Sequence, residues 1–201
     1  ESYAKGKSTG AWPAIDIFWR AYIACWVADK VKNLEGDFVE CGVYRGGLAA
    51  TIINYIQFEK LNKKFYLFDT YGPIPKQHVH QDEFKTNNPD NWSYSDVYEA
   101  VKSNFSVFKN VEVVRGIIPE ILSTKSIDKV CYLSIDLNNF QPEIAAIEYY
   151  WDKLVPGGIV LLDDYALSEK YVMQRNAWDK FAVSKGIKIL NIPTGQGLIF
   201  K

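Results

Sequence analysis

Gly36-Asp37-Phe38-Val39-Glu40-Cys41-Gly42-Val43-Tyr44-Arg45-Gly46-Gly47 joins a short apolar strand, an acid at its end, a glycine-rich turn and the first residues of a helix. Glycine lets the backbone turn sharply and lets a ligand approach where a Cβ would obstruct. Glu40 stands at the point of approach. A carboxylate there suits hydroxyls, amines or a positive charge, whereas a pyrophosphate normally meets bare backbone N–H groups at a helix N-terminus. The turn therefore points to a ligand other than a dinucleotide.

Outward from this turn the chain alternates between strand and helix patterns. Periodicity predicts a strand over 38–40, a helix over 49–58, a strand over 64–68 ending at Asp69, and a helix near 95–108 before a strand over 111–114. A strand over 130–135 then ends at Asp136, a helix covers 142–154, and a strand over 158–162 ends at Asp163 and Asp164. A helix near 169–185 leads to two closely spaced strands, 188–191 and 197–200, whose short connection allows a hairpin. Such alternation implies right-handed βαβ units around one mainly parallel sheet, with an antiparallel C-terminal edge. Upstream, Ile15, Phe18, Trp19, Tyr22, Ile23, Trp26 and Val27 fall at i, i+3, i+4 spacing after Pro13, which predicts an extra N-terminal helix packing these residues on the sheet. Two parts are expected: an N-terminal helical extension over 1–36 and a catalytic domain over 37–201.

The bulk properties exclude several classes. With 201 residues, 48% hydrophobic and 23% charged, the chain suits one soluble domain with a full core. A net charge of -1 gives no electrostatic footprint for nucleic acid or an anionic membrane. The longest apolar run, 17–28, contains Arg20 and is too short to span a bilayer. Cys25, Cys41 and Cys131 have no metal-binding spacing and read as buried thiols of a reducing, cytoplasmic compartment. Glu1 is not an initiator residue, so the sequence reads as a fragment of a longer chain.

Five acids stand at strand ends: Glu40, Asp69, Asp136, Asp163 and Asp164. In a parallel sheet these ends emerge on one edge, where their charges repel unless a cation offsets them. A divalent metal or a cationic ligand would do so. Asp69 ends the second strand, the usual place for an acid that bonds ribose hydroxyls. The oxygens of Asp136, Asp163 and Asp164 suit a hard cation such as Mg²⁺. The long polar segment 70–94 holds Gly72, Pro73, Pro75, Asn87, Asn88, Pro89, Trp92 and both histidines. Its length and place predict a lid over the strand ends. His78 and His80 read either as solvated loop residues or as a general base.

The glycine-rich run resembles the first motif of S-adenosylmethionine-dependent methyltransferases. More narrowly, it is similar to the macrocin O-methyltransferase family, which methylates sugar hydroxyls of macrolides and related natural products. Four further segments agree in order: Phe68-Asp69-Thr70-Tyr71-Gly72, Arg115-Gly116-Ile117-Ile118-Pro119-Glu120, Leu161-Leu162-Asp163-Asp164-Tyr165 and Pro193-Thr194-Gly195-Gln196-Gly197. The resemblance implies a Rossmann-like, doubly wound fold and a Mg²⁺-dependent O-methyltransferase acting on a sugar or glycosylated natural product. It places Glu40, Gly42, Tyr44 and Gly46 along the methionine half of S-adenosylmethionine, Asp69 on the ribose, and Gly116 and Ile117 beside the adenine. Asp136, Asp163 and Asp164 match the family's Mg²⁺ ligands, with Asp136 also near the cofactor. The catalytic proton acceptor is then Asp136, with His78 or His80 in reserve. Where the family reads Asp-x-Asp-x-Tyr, this chain has Asp136-Leu137-Asn138-Asn139-Phe140. An amide cannot accept a proton at neutral pH, so a base role does not carry over to Asn138.

Other readings compete with this one. A nicotinamide-dependent oxidoreductase would also use a glycine-rich turn, but Gly42 and Gly46 lack the full Gly-x-Gly-x-x-Gly spacing. The changes at Asn138 and Phe140 leave room for a domain that binds S-adenosylmethionine or a glycan without turnover. A vicinal diol of catechol type is a further acceptor on chemical grounds. The partner expected is a small-molecule or glycan acceptor, with a homo-oligomer left open by the aromatic N-terminal helix.

Overall fold

The computed structural model describes residues 1–12, 15–86 and 94–201. Pro13, Asn87, Asn88, Pro89 and Trp92, on which parts of the helix-start and lid readings fell, lie outside the described residues.

Among the described residues, seven strands form one sheet: β1 (Asp37–Cys41), β2 (Phe65–Asp69), β3 (Val111–Arg115), β4 (Val130–Ile135), β5 (Leu154–Leu162), β6 (Leu190–Asn191) and β7 (Gly197–Phe200). Their order is β3-β2-β1-β4-β5-β7-β6. The first five are parallel; β7 runs antiparallel to both β5 and β6. The helices are α1 (Ser2–Lys7), α2 (Phe18–Val31), α3 (Gly47–Ile56), α4 (Glu83–Thr86), α5 (Tyr98–Phe105), α6 (Phe140–Tyr150) and α7 (Val172–Lys185). This is the doubly wound, mainly parallel α/β fold that the alternating pattern predicts. The helix expected over 142–154 is shorter, because the chain tightens at Trp151–Lys153 and Leu154 already begins β5.

Each central strand is apolar on both faces, as a sheet covered on both sides requires. Phe38, Phe65, Leu67, Tyr132 and Leu161 face one core with α2, α3 and α5. Val39, Cys41, Phe68, Leu133, Val160 and Leu162 face the other, with α6 and α7. Phe38 stacks on Tyr132 at 4.9 Å between ring centroids and meets Phe58 and Phe65 edgewise or tilted, locking β1, β2 and β4 together.

The N-terminal helix forms, and of the residues expected inward Val27 is buried and Ile23 packs on the core, but the aromatic ones face out. Ala21, Ala24, Cys25, Val27, Ala28 and Val31 are buried, whereas Phe18, Trp19, Tyr22 and Trp26 are exposed, Trp19 by 67%. Ile15 precedes the helix and is exposed too. Small and aromatic residues both recur at helical spacing in this segment, so periodicity alone selects neither face. Ala24 and Ala28 enter the core beside Ala49, Ile52 and Ile53, a close approach that only small side chains permit. The aromatic rings instead pack edgewise on one another, Trp19 against Phe18 and Tyr22. Residues before this helix also join the body: Gly6 of α1 lies so close to Thr51 and the Gly47 carbonyl that a Cβ would overlap them.

The strand order reverses between β1 and β4, and that is where an open α/β sheet forms its ligand crevice. Cys41 pairs with Ile135, and the Asp136 N–H donates to the Cys41 carbonyl at 2.8 Å. Gly42 follows at φ +90°, with the Asp136 carbonyl where its Cβ would stand. Any side chain at 42 therefore meets both an unfavourable dihedral and a backbone clash.

The inward face of α2 can be checked by substitution. Ala24→Leu should lower unfolding free energy by about 1–3 kcal/mol through overpacking, read from urea melts. Trp19→Ser should stay within about 0.5 kcal/mol of wild type. The reverse ranking would restore the aromatic face as the packed one.

Candidate active site

A cavity of about 470 Å³ opens at the carboxyl ends of β1, β2 and β4, within the size range of small-molecule sites. Its floor is Glu40 near the end of β1 with Gly42, Val43 and Tyr44 beyond it, Asp69 at the end of β2 with Thr70, Gly116 and Ile117 after β3, 136–139 after β4, and Asp163 after β5. Ile74, Pro75, His78 and Tyr94 of the lid segment cover one side, and Ala11, Trp12, Ile15 and Ile17 another. The apolar part of the cover thus comes from both the lid and the N-terminal segment.

Asp69 organises the floor. Its Oδ2 accepts the Val43 and Tyr44 N–H groups at 2.6 and 2.7 Å, and its Oδ1 accepts the Tyr71 N–H at 2.6 Å and the Thr70 hydroxyl at 3.2 Å. Tyr44 and Tyr71 both have positive φ, at 50° and 54°, an unusual conformation for a bulky residue. The carboxylate thus holds the turn after β1 and the start of the lid in one arrangement. With four donors on two oxygens, a ribose hydroxyl at Asp69 requires the Thr70 hydroxyl to turn aside.

The other glycines of the turn divide their work. Gly42 lines the cavity, whereas Gly46 is outside it: its left-handed backbone (φ +76°) starts α3, and a Cβ would strike the Phe105 ring. The methionine-side role expected of Gly46 meets this geometry: its missing side chain makes room for α5 instead of for a ligand. Gly47, one residue on, does line the cavity.

Glu40 is buried, and its Oε2 has no hydrogen-bond partner among the described residues. Burial, then the charges of Asp163 and Asp69, push its pKa well above the carboxylate range. A buried unpaired carboxyl oxygen at a cavity wall is a group awaiting a donor. Asp136 is likewise pushed well up, by burial first and then by Asp163 and Asp164, with Arg20 opposing. Asp164 rises to about 6 for the same leading reasons, with Arg20 and the Tyr171 hydroxyl pulling it down.

Arg20, in the first turn of α2, supplies positive charge to these acids. Its Nη2 lies 2.5 Å from Asp163 Oδ2 and 2.9 Å from Asp164 Oδ1, and also donates to the Asp163 carbonyl. Burial alone would lower its pKa, but Asp163, Asp164 and Asp136 together hold it above its ordinary value. Gln196 donates to Asp163 Oδ1 at 2.9 Å. The donor set expected for Mg²⁺ is thus engaged with N–H groups, and no three His, Cys, Asp or Glu side chains are arranged to hold a metal among the described residues. As arranged, Asp136, Asp163 and Asp164 do not fit the ion.

The segment after β4 is held from behind. Asn138 has φ 61° and donates through Nδ2 to Asp136 Oδ1 at 3.2 Å. Glu143 of α6, buried, accepts the Leu137 N–H at 3.2 Å, Gln174 Nε2 at 3.0 Å and Trp178 Nε1 at 2.7 Å. Buried Glu83 of α4 accepts the Phe140 N–H at 2.9 Å, tying the lid segment to the start of α6. Of the two histidines, His78 lines the cavity, with Nε2 2.9 Å from Glu120 Oε1. His80 stands outside it, 5.7 Å from the Phe140 ring, with Nδ1 facing the Asp82 N–H. That placement removes His80 from reach of a ligand in the cavity.

The sequence reading passed over Arg20, Glu143, Glu83 and Tyr94. Arg20 carried a signal, since it is the one charge in the apolar run 17–28. Glu143 and Glu83 carried none, because a glutamate on a helix ordinarily faces solvent.

The family described as Macrocin-O-methyltransferase (TylF) matches residues 23–192. Among solved structures, the O-methyltransferase NovP superposes with a TM-score of 0.76 at 21% identity, over 100% of this chain and 88% of that one. The calicheamicin methyltransferase CalS11 superposes at 0.69 with 14% identity, over 96% and 84%. An S-adenosylhomocysteine-bound methyltransferase of Podospora anserina, PaMTH1, follows at 0.60 with 14% identity, over 100% and 88%. No curated protein is matched by sequence. At these identities the structures establish a shared fold.

Glu143 generates a pH prediction. Burial raises its pKa to about 8, against the Trp178 and Gln174 hydrogen bonds that lower it. A carboxyl with a raised native pKa binds more protons folded than unfolded, so its stabilising contribution is full below about pH 4.5 and is lost as pH rises through about 8. Urea midpoints should therefore fall between pH 5 and pH 8 less steeply in Glu143→Gln than in wild type. An equal slope in both would remove Glu143 from the titration.

Proposed function

The chain belongs to the macrocin-O-methyltransferase family, and from that premise we propose that it transfers a methyl group from S-adenosylmethionine to a hydroxyl of a sugar or glycosylated natural product. The observation that carries this reading is the buried, unpartnered Glu40 oxygen beside Gly42, at the floor of a cavity of cofactor size. An α-ammonium group is the donor such a carboxyl lacks.

When bound, S-adenosylmethionine supplies an electrophilic methyl group on a cationic sulfur. Glu40 and the Gly42 backbone would take its methionine end. Asp69, with Thr70 turned aside, would take the ribose, and Gly116 and Ile117 would border the adenine. The Tyr44 and Tyr94 rings, in edge contact at 5.0 Å between centroids, offer aromatic surface compatible with a positive charge. The acceptor would enter beneath His78 and the N-terminal segment and present its hydroxyl near Asp136.

Asp136 is the group placed to accept the hydroxyl proton as the oxygen–methyl bond forms and the sulfur–methyl bond breaks; the proton then passes to solvent. Asn138 cannot take it but orients Asp136 through its amide. Alignment of oxygen and methyl by a closed cover contributes at most about 7–11 kcal/mol in ideal cases. No step runs through a metal. A sugar acceptor draws support from one structural relative, described as a TDP-rhamnose 3'-O-methyltransferase.

The test combines binding and turnover. Calorimetry should show S-adenosylhomocysteine binding to wild type, weakened about tenfold or more in Glu40→Gln, consistent with one lost charged hydrogen bond. With labelled S-adenosylmethionine and a panel of nucleotide-linked and natural-product sugars, Asp136→Asn should lose about 10²–10⁴ in turnover while retaining that binding, as expected for a general base. Binding of NAD in place of S-adenosylhomocysteine would overturn the reading.

A further inference from the structure

Arg20 is surrounded as a cation would be. One nitrogen, Nη2, meets three oxygens of two consecutive residues at the end of β5: both carboxylates and the Asp163 carbonyl. The side chains involved are largely withdrawn from solvent, with 17% exposure at Arg20, 16% at Asp163 and 7% at Asp164. The guanidinium stays protonated across the accessible pH range and presents its N–H groups in a fixed plane.

Two of these, Asp163 Oδ2 and Asp164 Oδ1, are oxygens that a divalent ion at the strand ends would need. Mg²⁺ requires near-octahedral oxygen ligands at about 2.0–2.1 Å and gives up its own water reluctantly. A guanidinium nitrogen in the oxygen pocket excludes such an ion, because an N–H donor and a metal cannot use one lone pair together. Two further oxygens carry amide donors: Gln196 holds Asp163 Oδ1 and Asn138 holds Asp136 Oδ1. Asn138 also removes the carboxylate that would have added negative charge beside the pocket. With one acid fewer beside them, Asp163 and Asp164 already have a cation between them in Arg20.

We propose that Arg20 is the resident cation of the acidic strand ends and that it excludes a divalent metal from Asp136, Asp163 and Asp164. Arg20 acts here as a positioning residue: it fixes the two aspartates after β5 and anchors the first turn of α2 beside the cavity. The inference rests on the methyl-transfer reading for the site's chemical role, while the ion pairs stand independently of it.

Manganese is the probe, followed by electron paramagnetic resonance on the whole chain. At about 1 mM Mn²⁺, the weak end of the range of functional sites for divalent ions, wild type should take up no stoichiometric ion. Arg20→Ala and Arg20→Met, the second keeping the apolar stem, should each bind one equivalent, and adding Asp163→Asn should remove it. One tightly bound Mn²⁺ in wild type overturns the proposal, and that measurement does not depend on the variants folding. No uptake by wild type or by folded variants also overturns it, because Arg20 would then exclude nothing. Wild-type binding of S-adenosylhomocysteine, measured alongside, reports on the methyl-transfer reading separately: its failure would sink that reading and leave the metal result standing.

Discussion

Four hydrogen-bond donors converge on the carboxylate of Asp69, and the shape of the cavity depends on that convergence. Two of them are amides of the turn after β1, and the other two belong to the first residues beyond β2. Tyr44 and Tyr71 would not ordinarily keep positive φ, since a Cβ disfavours that region. Charge-assisted bonds to their amides supply the compensation. Gly42 adds the second half of the constraint, because its missing side chain lets the ends of β1 and β4 close on each other. The crevice at the point of strand reversal is therefore a rigid floor, set by backbone contacts that tolerate little substitution.

Charge is arranged on that floor with the same economy. Five acids at neighbouring strand ends would repel one another, and the structure separates them by environment. Asp69 is saturated by donors, Asp163 and Asp164 are paired with Arg20, and Glu40 and Asp136 are left with raised pKa values caused chiefly by burial. Buried carboxyls with raised pKa values that line a cavity are candidates for chemistry. In the methyl-transfer reading proposed above, Glu40 would receive the cationic ligand and Asp136 the proton.

Much of this was legible in the sequence, and the rest was hidden for identifiable reasons. The strands announced themselves because each central one is a continuous apolar run closed by an acid or glycine. The strand-end acids could be placed on one edge because parallel topology leaves no alternative. The inward face of α2 was not legible: alanines and aromatics share one helical period, and which set is buried depends on how closely α3 approaches. Gly46 looked like part of a ligand cradle, and only tertiary contact shows it yielding space to Phe105. Asp69 looked like a ribose contact, while its grip on the turn after β1 depends on two strands being neighbours. The buried glutamates Glu83 and Glu143 gave no local sign, since burial of a helix glutamate is decided by residues far away in sequence.

The floor and the cover obey different physical rules, and the difference locates acceptor choice. Floor positions are fixed by backbone approach, positive φ and buried hydrogen bonds, so they suit a ligand that never changes. The cover comes from Trp12, Ile15 and Ile17 on one side and Ile74, Pro75, His78 and Tyr94 on the other. These residues lie outside the sheet, on segments tied to the body by side-chain contacts such as the Glu83 bond to the Phe140 amide and the Arg20 pairs after β5. A side chain in the cover can be exchanged without disturbing strand register, so on the proposed reading it would alter which hydroxyl approaches Asp136 while the cofactor's place is kept. Arg20 joins the two regimes. It begins the helix that follows the N-terminal cover and ends on the acids of the floor, so a change in the cover at this point is transmitted directly to the charge beside the reacting group.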